Sequence, residues 1–136
     1  KIDGKYKLDI MYEEIPADLL QTELDTCWVN VGGENPAAYV RKYKGREEIL
    51  HLKDFVGGKS DNMYALIGID EDEEKDVDAN KFELRPVGYG VQDVAAIIAA
   101  AEAAGAEAII VEQDQPSLGK TPMECAKMSI DYIKSL

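Results

Sequence analysis

A strand-like segment that delivers a metal-compatible side chain at or near its end occurs three times in this chain. Residues 22–24 lead to Asp25 and then to the Gly32–Gly33 loop, residues 49–53 carry His51, and residues 108–111 lead to Glu112. Helix-like segments separate these strands, so the strands are predicted to be parallel neighbours. The carboxyl ends of parallel strands meet at one edge of a sheet, where α/β folds build their sites. The repeat therefore predicts an α/β fold in which these three side chains converge.

Apolar spacing and capping residues indicate where the helices lie. Residues 8–15 have helical spacing up to Pro16, and residues 37–43 follow Asn35, a good N-cap, and Pro36. The alanine-rich residues 93–104 end at Gly105, and residues 122–133 form an amphipathic stretch near the end of the chain. This order of helices and strands is typical of repeated βα units.

Residues 57–86 interrupt the repeat. Two strand-like stretches, 64–69 and 81–85, flank an acidic run at residues 70–78, which predicts a β-hairpin inserted in the loop after the second strand. The acidic run has neither the turn glycine nor the flanking helices of a calcium loop, so a solvated hairpin tip is favoured. Gly88 and Gly90 precede the next helix, where they either cradle a phosphate or simply form a turn.

Composition limits the function classes. The 136 residues, 46% of them apolar, are predicted to form a single domain over residues 1–136, well short of the roughly 250 residues of a complete eight-unit barrel. A net charge of −12 argues against nucleic acid or an anionic membrane as a partner. Cys27 and Cys125 fall in different predicted elements, which favours packing roles, a reducing compartment and a cytoplasmic location.

Asp25, His51 and Glu112 are a ligand set that suits Mn²⁺, Mg²⁺, Co²⁺ or Zn²⁺. Each residue can also have a structural role without a metal. A lone histidine is often a hydrogen-bonded structural residue, and a carboxylate at a strand end often caps the next helix. Their shared position on three strands of one predicted sheet favours the metal site.

Several segments together resemble the sugar phosphate isomerase/epimerase family of xylose-isomerase-like TIM barrels. The resemblance rests on residues 23–29 (ELDTCWV), 50–54 (LHLKD) and 110–114 (IVEQD), with 87–90 (VGYG) ahead of the penultimate helix. It covers essentially the whole chain. It implies the C-terminal portion of a TIM (β/α)8 barrel, about three βα units with the inserted hairpin at 57–86.

The resemblance also implies roles for individual residues. Asp25, His51 and Glu112 correspond to three of the family's four ligands for one divalent metal, often manganese. The first ligand, a glutamate on a strand before Lys1, has no counterpart here. Trp28 stands where some members place a substrate-contacting histidine, and it is expected to stack on a sugar face. Lys53 and Asp54 are expected to bind substrate or to brace His51. Pairing of Lys53 with a carboxylate and packing of Trp28 remain the alternatives.

The implied activity is isomerisation or epimerisation of a sugar or sugar phosphate through an enediolate, with Glu112 as ligand and acid/base. A sugar dehydratase or lyase on the same site and an inactive barrel fragment that acts only in assembly are the alternatives. Three βα units of an eight-unit barrel leave open sheet edges. We therefore expect either a separate chain that supplies the missing barrel strands or self-association of this chain.

Overall fold

The computed structural model describes residues 1–58 and 81–136, and these residues form a mixed α/β structure. The strands are β1 (Thr22–Asp25), β2 (Glu47–Leu52), β3 (Asp54–Val56), β4 (Glu83–Arg85) and β5 (Ala108–Val111), and the helices are α1 (Lys7–Glu14), α2 (Thr26–Val31), α3 (Pro36–Lys42), α4 (Val94–Ala104) and α5 (Pro122–Ile133).

Three of the strands form a parallel sheet in the order β1-β2-β5. Asp25 is paired with His51 across β1 and β2, and His51 is paired with Ile110 across β2 and β5. Paired residues of adjacent parallel strands point to the same face, so Asp25 and His51 share one face of the sheet. The predicted parallel sheet with intervening helices is confirmed.

The opposite face of the sheet packs against the helices and forms the main core. Leu24, Leu50 and Leu52 on this face are 3%, 0% and 0% exposed, and they pack in one cluster with Val40 of α3 and Ile97 of α4. Each such leucine contributes about 1.5–3 kcal/mol through burial. Because side chains alternate along a strand, burying this face leaves the polar face with Asp25 and His51 at the surface.

Local sequence explains where the helices begin and end. Asn35 accepts a hydrogen bond from the Ala38 N–H and caps α3, and Asp93 accepts one from the Ala96 N–H and caps α4. Gly105 ends α4 in the left-handed conformation, with φ of 91°. At α5, Thr121 and Glu124 form a reciprocal capping box. The helices predicted at 8–15, 37–43, 93–104 and 122–133 are confirmed within one residue at each end.

The sequence analysis predicts no helix between Asp25 and the Gly32–Gly33 loop, but residues Thr26–Val31 form the helix α2. The Asp25 side chain accepts the Trp28 N–H at 3.1 Å and starts this helix. Cys27 therefore lies in a helix rather than in a strand-end loop, and it is fully buried. The packing roles predicted for Cys27 and Cys125 are both confirmed, because both side chains are buried in helices.

The second strand ends earlier than predicted, at Leu52, and a separate strand β3 follows it. β3 pairs antiparallel with β4, which lies within the stretch predicted as the returning strand of the inserted hairpin. The partner predicted for that strand, residues 64–69, and the acidic run at 70–78 lie outside the described residues. Phe55 and Leu84, on these two strands, pack with Phe82 and Cys27 in a second small core.

In the part of the chain that the structure describes, every helix is too short or too polar to cross a membrane.

Candidate metal centre

Asp25, His51 and Glu112 come together at the carboxyl ends of three adjacent strands. One ligand-type atom from each lies within 4.8 Å of the others, and all three residues are partly exposed. The β1–β2 pairing brings Asp25 beside His51, and Glu112 is two residues beyond Ile110, the partner of His51, so it returns to the same face. The convergence that the strand ends predict is present in the structure.

The imidazole of His51 lies between two carboxylates. Its Nε2 is 2.6 Å from Glu23 Oε1, and its Nδ1 is 2.8 Å from Glu112 Oε2. Glu23 reaches His51 because it is two residues before Asp25 on β1 and therefore points to the same face. These two contacts fix the orientation of the ring, and one of them would have to give way for a ring nitrogen to bind a metal ion.

The Lys53 ammonium is at the centre of the carboxylates. Its Nζ lies 3.1 Å from Asp25 Oδ2 and 3.2 Å from both Glu112 Oε2 and Asp114 Oδ2. The side chain is only 4% exposed. Lys53 is therefore paired with carboxylates in this structure, which is the alternative to substrate binding.

The charge of Lys53 is stabilised by its neighbours. Burial by itself lowers the pKa of the ammonium, but the carboxylates of Asp25 and Asp114 together raise the pKa well above its usual value. Lys53 is therefore a fixed positive charge at physiological pH, so it cannot serve as a base.

The residues of this cluster fit a divalent ion. Three carboxylates (Asp25, Glu112 and Asp114) surround the Lys53 ammonium and Glu23 lies beside His51, so the four carboxylates outnumber the one ammonium and favour binding of a cation. Carboxylate and imidazole groups suit Mn²⁺, Mg²⁺ and Zn²⁺. The contacts that Glu112 makes with His51 and Lys53 both involve Oε2.

Asp54, which was expected to bind substrate or to brace His51, holds a loop together in this structure. The residue is fully buried. Its Oδ2 accepts the N–H groups of Gly88 and Gly90 at 3.0 and 2.9 Å, and its Oδ1 accepts those of Phe55 and Gln92 at 2.9 and 3.1 Å. Four backbone donors stabilise a buried carboxylate without any substrate.

The same contacts favour a simple turn at Gly88 and Gly90 over the interpretation that these glycines bind a phosphate. Their amides point at the protein's own carboxylate, so the glycine turn already holds an anion. Gly90 is needed for this close approach, because a Cβ at this position would lie 2.1 Å from Asp54 Oδ1.

Trp28 lies at the border between the cluster and a cavity. Its ring stacks on Phe82 with centroids 5.7 Å apart, and Lys53 Nζ is 5.6 Å from the ring centroid. It also lines a cavity of about 220 Å³ together with Glu23 and Asp25. Trp28 thus packs at the mouth of the site while part of its surface remains available to a ligand.

Glu23 and Asp114 are members of the cluster that the sequence reasoning missed. Each lies two residues from a predicted ligand, Glu23 before Asp25 and Asp114 after Glu112. The period of two along β1 was the signal that would have found Glu23, whereas Asp114 lies beyond the end of β5, where strand periodicity no longer applies.

A comparison of the chain with protein-family models and with curated proteins finds no match.

Proposed function

We propose that this protein is a metal-dependent isomerase or epimerase that acts on a sugar or sugar phosphate through an enediolate. The observation that supports this most is the convergence of Asp25, His51 and Glu112 from three adjacent parallel strands. Mixed carboxylate and imidazole ligands at strand ends are a common way to hold a catalytic divalent ion. Manganese is the proposed ion, with Mg²⁺, Co²⁺ and Zn²⁺ as alternatives.

Asp25, His51 and Glu112 would hold the divalent ion, which would acidify the C–H of the hydroxyl-bearing carbon next to the sugar carbonyl and lower the energy of the enediolate. Glu112 takes the proton from that carbon, and the C–H electron pair becomes the C=C bond of the enediolate. Oε1 of Glu112 is the oxygen proposed for this transfer, because Oε2 contacts His51 and Lys53.

The other residues of the cluster keep these groups in place. Lys53 contacts both Asp25 and Glu112, and its fixed charge limits the repulsion between the two carboxylates. Glu23 orients His51 from the side opposite Glu112. Return of the proton to the opposite face of the enediolate needs a second acid, and the resemblance assigns this role to a glutamate that has no counterpart among these residues.

We also propose that the sheet β1-β2-β5 is part of a TIM barrel. Its polar face with Asp25, His51 and Glu112 would then point into the barrel, and the helices α3 and α4 would lie outside it. Strands from another polypeptide or from a second copy would continue the sheet at its edges. A cytoplasmic location is proposed because Cys27 and Cys125 are both free.

Titration calorimetry with MnCl₂ tests the metal site, and NMR detection of deuterium exchange into ketoses in D₂O tests proton abstraction. We expect H51A to weaken Mn²⁺ binding at least ~10-fold, because it removes a ligand. E112Q should abolish exchange, because an amide cannot accept the proton.

The matched control is E102Q, which neutralises an exposed carboxylate on α4. It should bind Mn²⁺ and exchange deuterium like the wild type. Absence of Mn²⁺ binding by the wild type, or equal exchange by E112Q and E102Q, contradicts the proposed function.

A further inference from the structure

The backbone of Lys53 lies at the junction between the two sheets. β2 ends at Leu52 and β3 begins at Asp54, so Lys53 belongs to neither strand. The residue is nevertheless buried, with 3% of its surface exposed. Buried backbone N–H and C=O groups need hydrogen-bond partners, and for Lys53 two side chains supply them.

The Thr26 hydroxyl makes two hydrogen bonds with the Lys53 backbone. Its Oγ1 accepts the Lys53 N–H at 3.0 Å and donates to the Lys53 carbonyl at 3.2 Å. Thr26 is fully buried and is the first residue of α2. β1 ends one residue earlier, at Asp25, so the Thr26 side chain replaces a ladder partner at the point where strand pairing stops.

Gln92 makes a further hydrogen bond with the Lys53 backbone. Its Nε2 donates to the Lys53 carbonyl at 3.2 Å, and its Oε1 accepts from Asn30 Nδ2 of α2 at 3.0 Å. A carbonyl oxygen has two lone pairs, and the hydroxyl of Thr26 and the amide of Gln92 use both. The N–H of Gln92 is itself held by Asp54. The Lys53 carbonyl is therefore fixed from α2 and from the loop before α4.

Thr26 and its neighbour Asp25 hold the two ends of Lys53. Asp25 contacts the ammonium at 3.1 Å, while Thr26 contacts the backbone. Because these residues are consecutive, the start of α2 fixes the ammonium relative to the backbone from which it extends. A lysine side chain is long and flexible, and a fixed origin limits the positions that its ammonium can reach. This restriction suits an ammonium that lies 3.1–3.2 Å from three carboxylates.

We propose that Thr26 and Gln92 are positioning residues of the candidate metal centre, because they fix the backbone of Lys53 and thereby hold its ammonium among the three carboxylates. The inference rests on the proposed function only for the use of this charge beside a reacting sugar. Hydrogen bonds that orient a charged group from behind are a common means by which a site keeps its geometry. If the two residues only satisfied buried backbone groups, their loss would lower the stability without releasing the ammonium.

The rate at which the N-hydroxysuccinimide ester of acetic acid modifies Lys53 measures how firmly the ammonium is held. Peptide mass spectrometry gives this rate relative to that of Lys127, whose side chain is 72% exposed. T26V keeps the volume of the side chain but removes the hydroxyl. We expect it to raise the relative rate about 10-fold or more, because unpaired buried groups favour local opening. T26S retains the hydroxyl and should keep Lys53 protected.

S129A is the matched control. The Ser129 hydroxyl is also buried, accepts the Val87 N–H at 2.9 Å and donates to the Cys125 carbonyl at 3.0 Å. The variant loses an equivalent pair of hydrogen bonds on α5, so it should lower the stability and leave Lys53 protected. The inference is overturned by equal modification of Lys53 in T26V and the wild type, by equal increases in T26V and S129A, or by loss of protection in T26S.

Q92M provides a second variant. It removes the amide that donates to the Lys53 carbonyl and keeps the backbone N–H that contacts Asp54. We expect it to raise the relative rate severalfold. Rapid reaction of the buried Cys125 thiol with a maleimide would show that T26V does not fold. In that case an increase in Q92M but not in S129A supports the inference, and equal rates in these two variants overturn it.

The inference and the proposed function fail separately, because the modification is carried out in EDTA and needs neither metal nor sugar. Release of Lys53 in T26V supports the inference even if the wild type binds no Mn²⁺. Metal-dependent deuterium exchange by the wild type, together with a protected Lys53 in T26V, contradicts the inference and supports the proposed function.

Discussion

Lys53 is the residue on which the charge balance of the site depends. It is nearly buried and contacts Asp25, Glu112 and Asp114, so K53M leaves three carboxylates without their shared counter-charge. We expect this variant to lose about 3–5 kcal/mol of unfolding free energy, as when one partner of a buried ion pair is removed. Because the proposed divalent ion would bind only the folded cluster, Mn²⁺ should restore more stability in K53M than in the wild type. Urea unfolding with and without Mn²⁺ measures both effects.

The control is K42M, which removes a lysine that pairs with Asp9 away from the site. The Lys42 side chain is 45% exposed, so its loss should destabilise the protein less and should not change the response to Mn²⁺. If K53M is as stable as the wild type, or if Mn²⁺ stabilises both lysine variants equally, the central role of Lys53 is wrong.

At the residue scale, the sequence was enough to predict those site residues whose positions are determined by strand geometry. Asp25, His51 and Glu112 could be found because the ends of parallel strands converge whatever the rest of the fold does. The role of Asp54 could not be found, because its partners are backbone amides of Gly88, Gly90 and Gln92, more than 30 residues away in sequence. Only the folded chain brings those donors to one carboxylate.

At the scale of elements, the contact between α1 and α3 depends on one buried carboxylate. Asp9 of α1 accepts hydrogen bonds from the hydroxyls of Tyr39 and Tyr43, and its Oδ2 lies 2.5 Å from Lys42 Nζ. Burial by itself raises the pKa of Asp9, but the contacts with Lys42 and the two tyrosines lower it overall. A lowered pKa in the folded state means that the ionised group stabilises the fold.

The D9N variant tests this contact. At neutral pH we expect it to lose about 2 kcal/mol of unfolding free energy, because hydrogen bonds to a charged group are replaced by weaker ones. The stabilisation by Asp9 is fully present above the unfolded-state pKa, near 3.8, and is lost as the pH falls through the lower folded-state value. The difference between the wild type and D9N should therefore shrink below about pH 4.

Urea unfolding over a pH series measures this difference. D18N, which changes an exposed aspartate in the turn after α1, should match the wild type at each pH. A difference for D9N that stays constant down to pH 2 would show that charge does not cause the effect.

Elements were predictable where local signals agree with tertiary packing. α4 and α5 have strong helix formers or a capping box, and both were found within a residue of their ends. α2 was missed because Thr26 and Val29 favour strands, while the helix depends on capping by Asp25 and on burial of Cys27. β3 was missed because three residues have no periodicity to detect, and its pairing with β4 is a non-local contact.

At the scale of the whole molecule, the sheet β1-β2-β5 has apolar surface that the described residues leave uncovered. β5 is an edge strand, and its Ile110 and Val111 are 45% and 37% exposed. Met123 and Ile130 of α5 are also exposed, 78% and 43%. An open edge with apolar side chains invites a further strand, which agrees with the proposal that this sheet is part of a barrel.

We therefore expect the chain alone to self-associate through this edge as its concentration rises. I110K should shift the equilibrium toward the monomer, because a charge at the edge opposes pairing with another strand. L19K introduces the same charge at an exposed leucine in the turn after α1, away from the sheet, and should associate like the wild type. Sedimentation velocity over a concentration series measures the equilibrium. A wild-type chain that remains monomeric at every concentration, or equal association of both variants, contradicts an open edge that recruits a second copy.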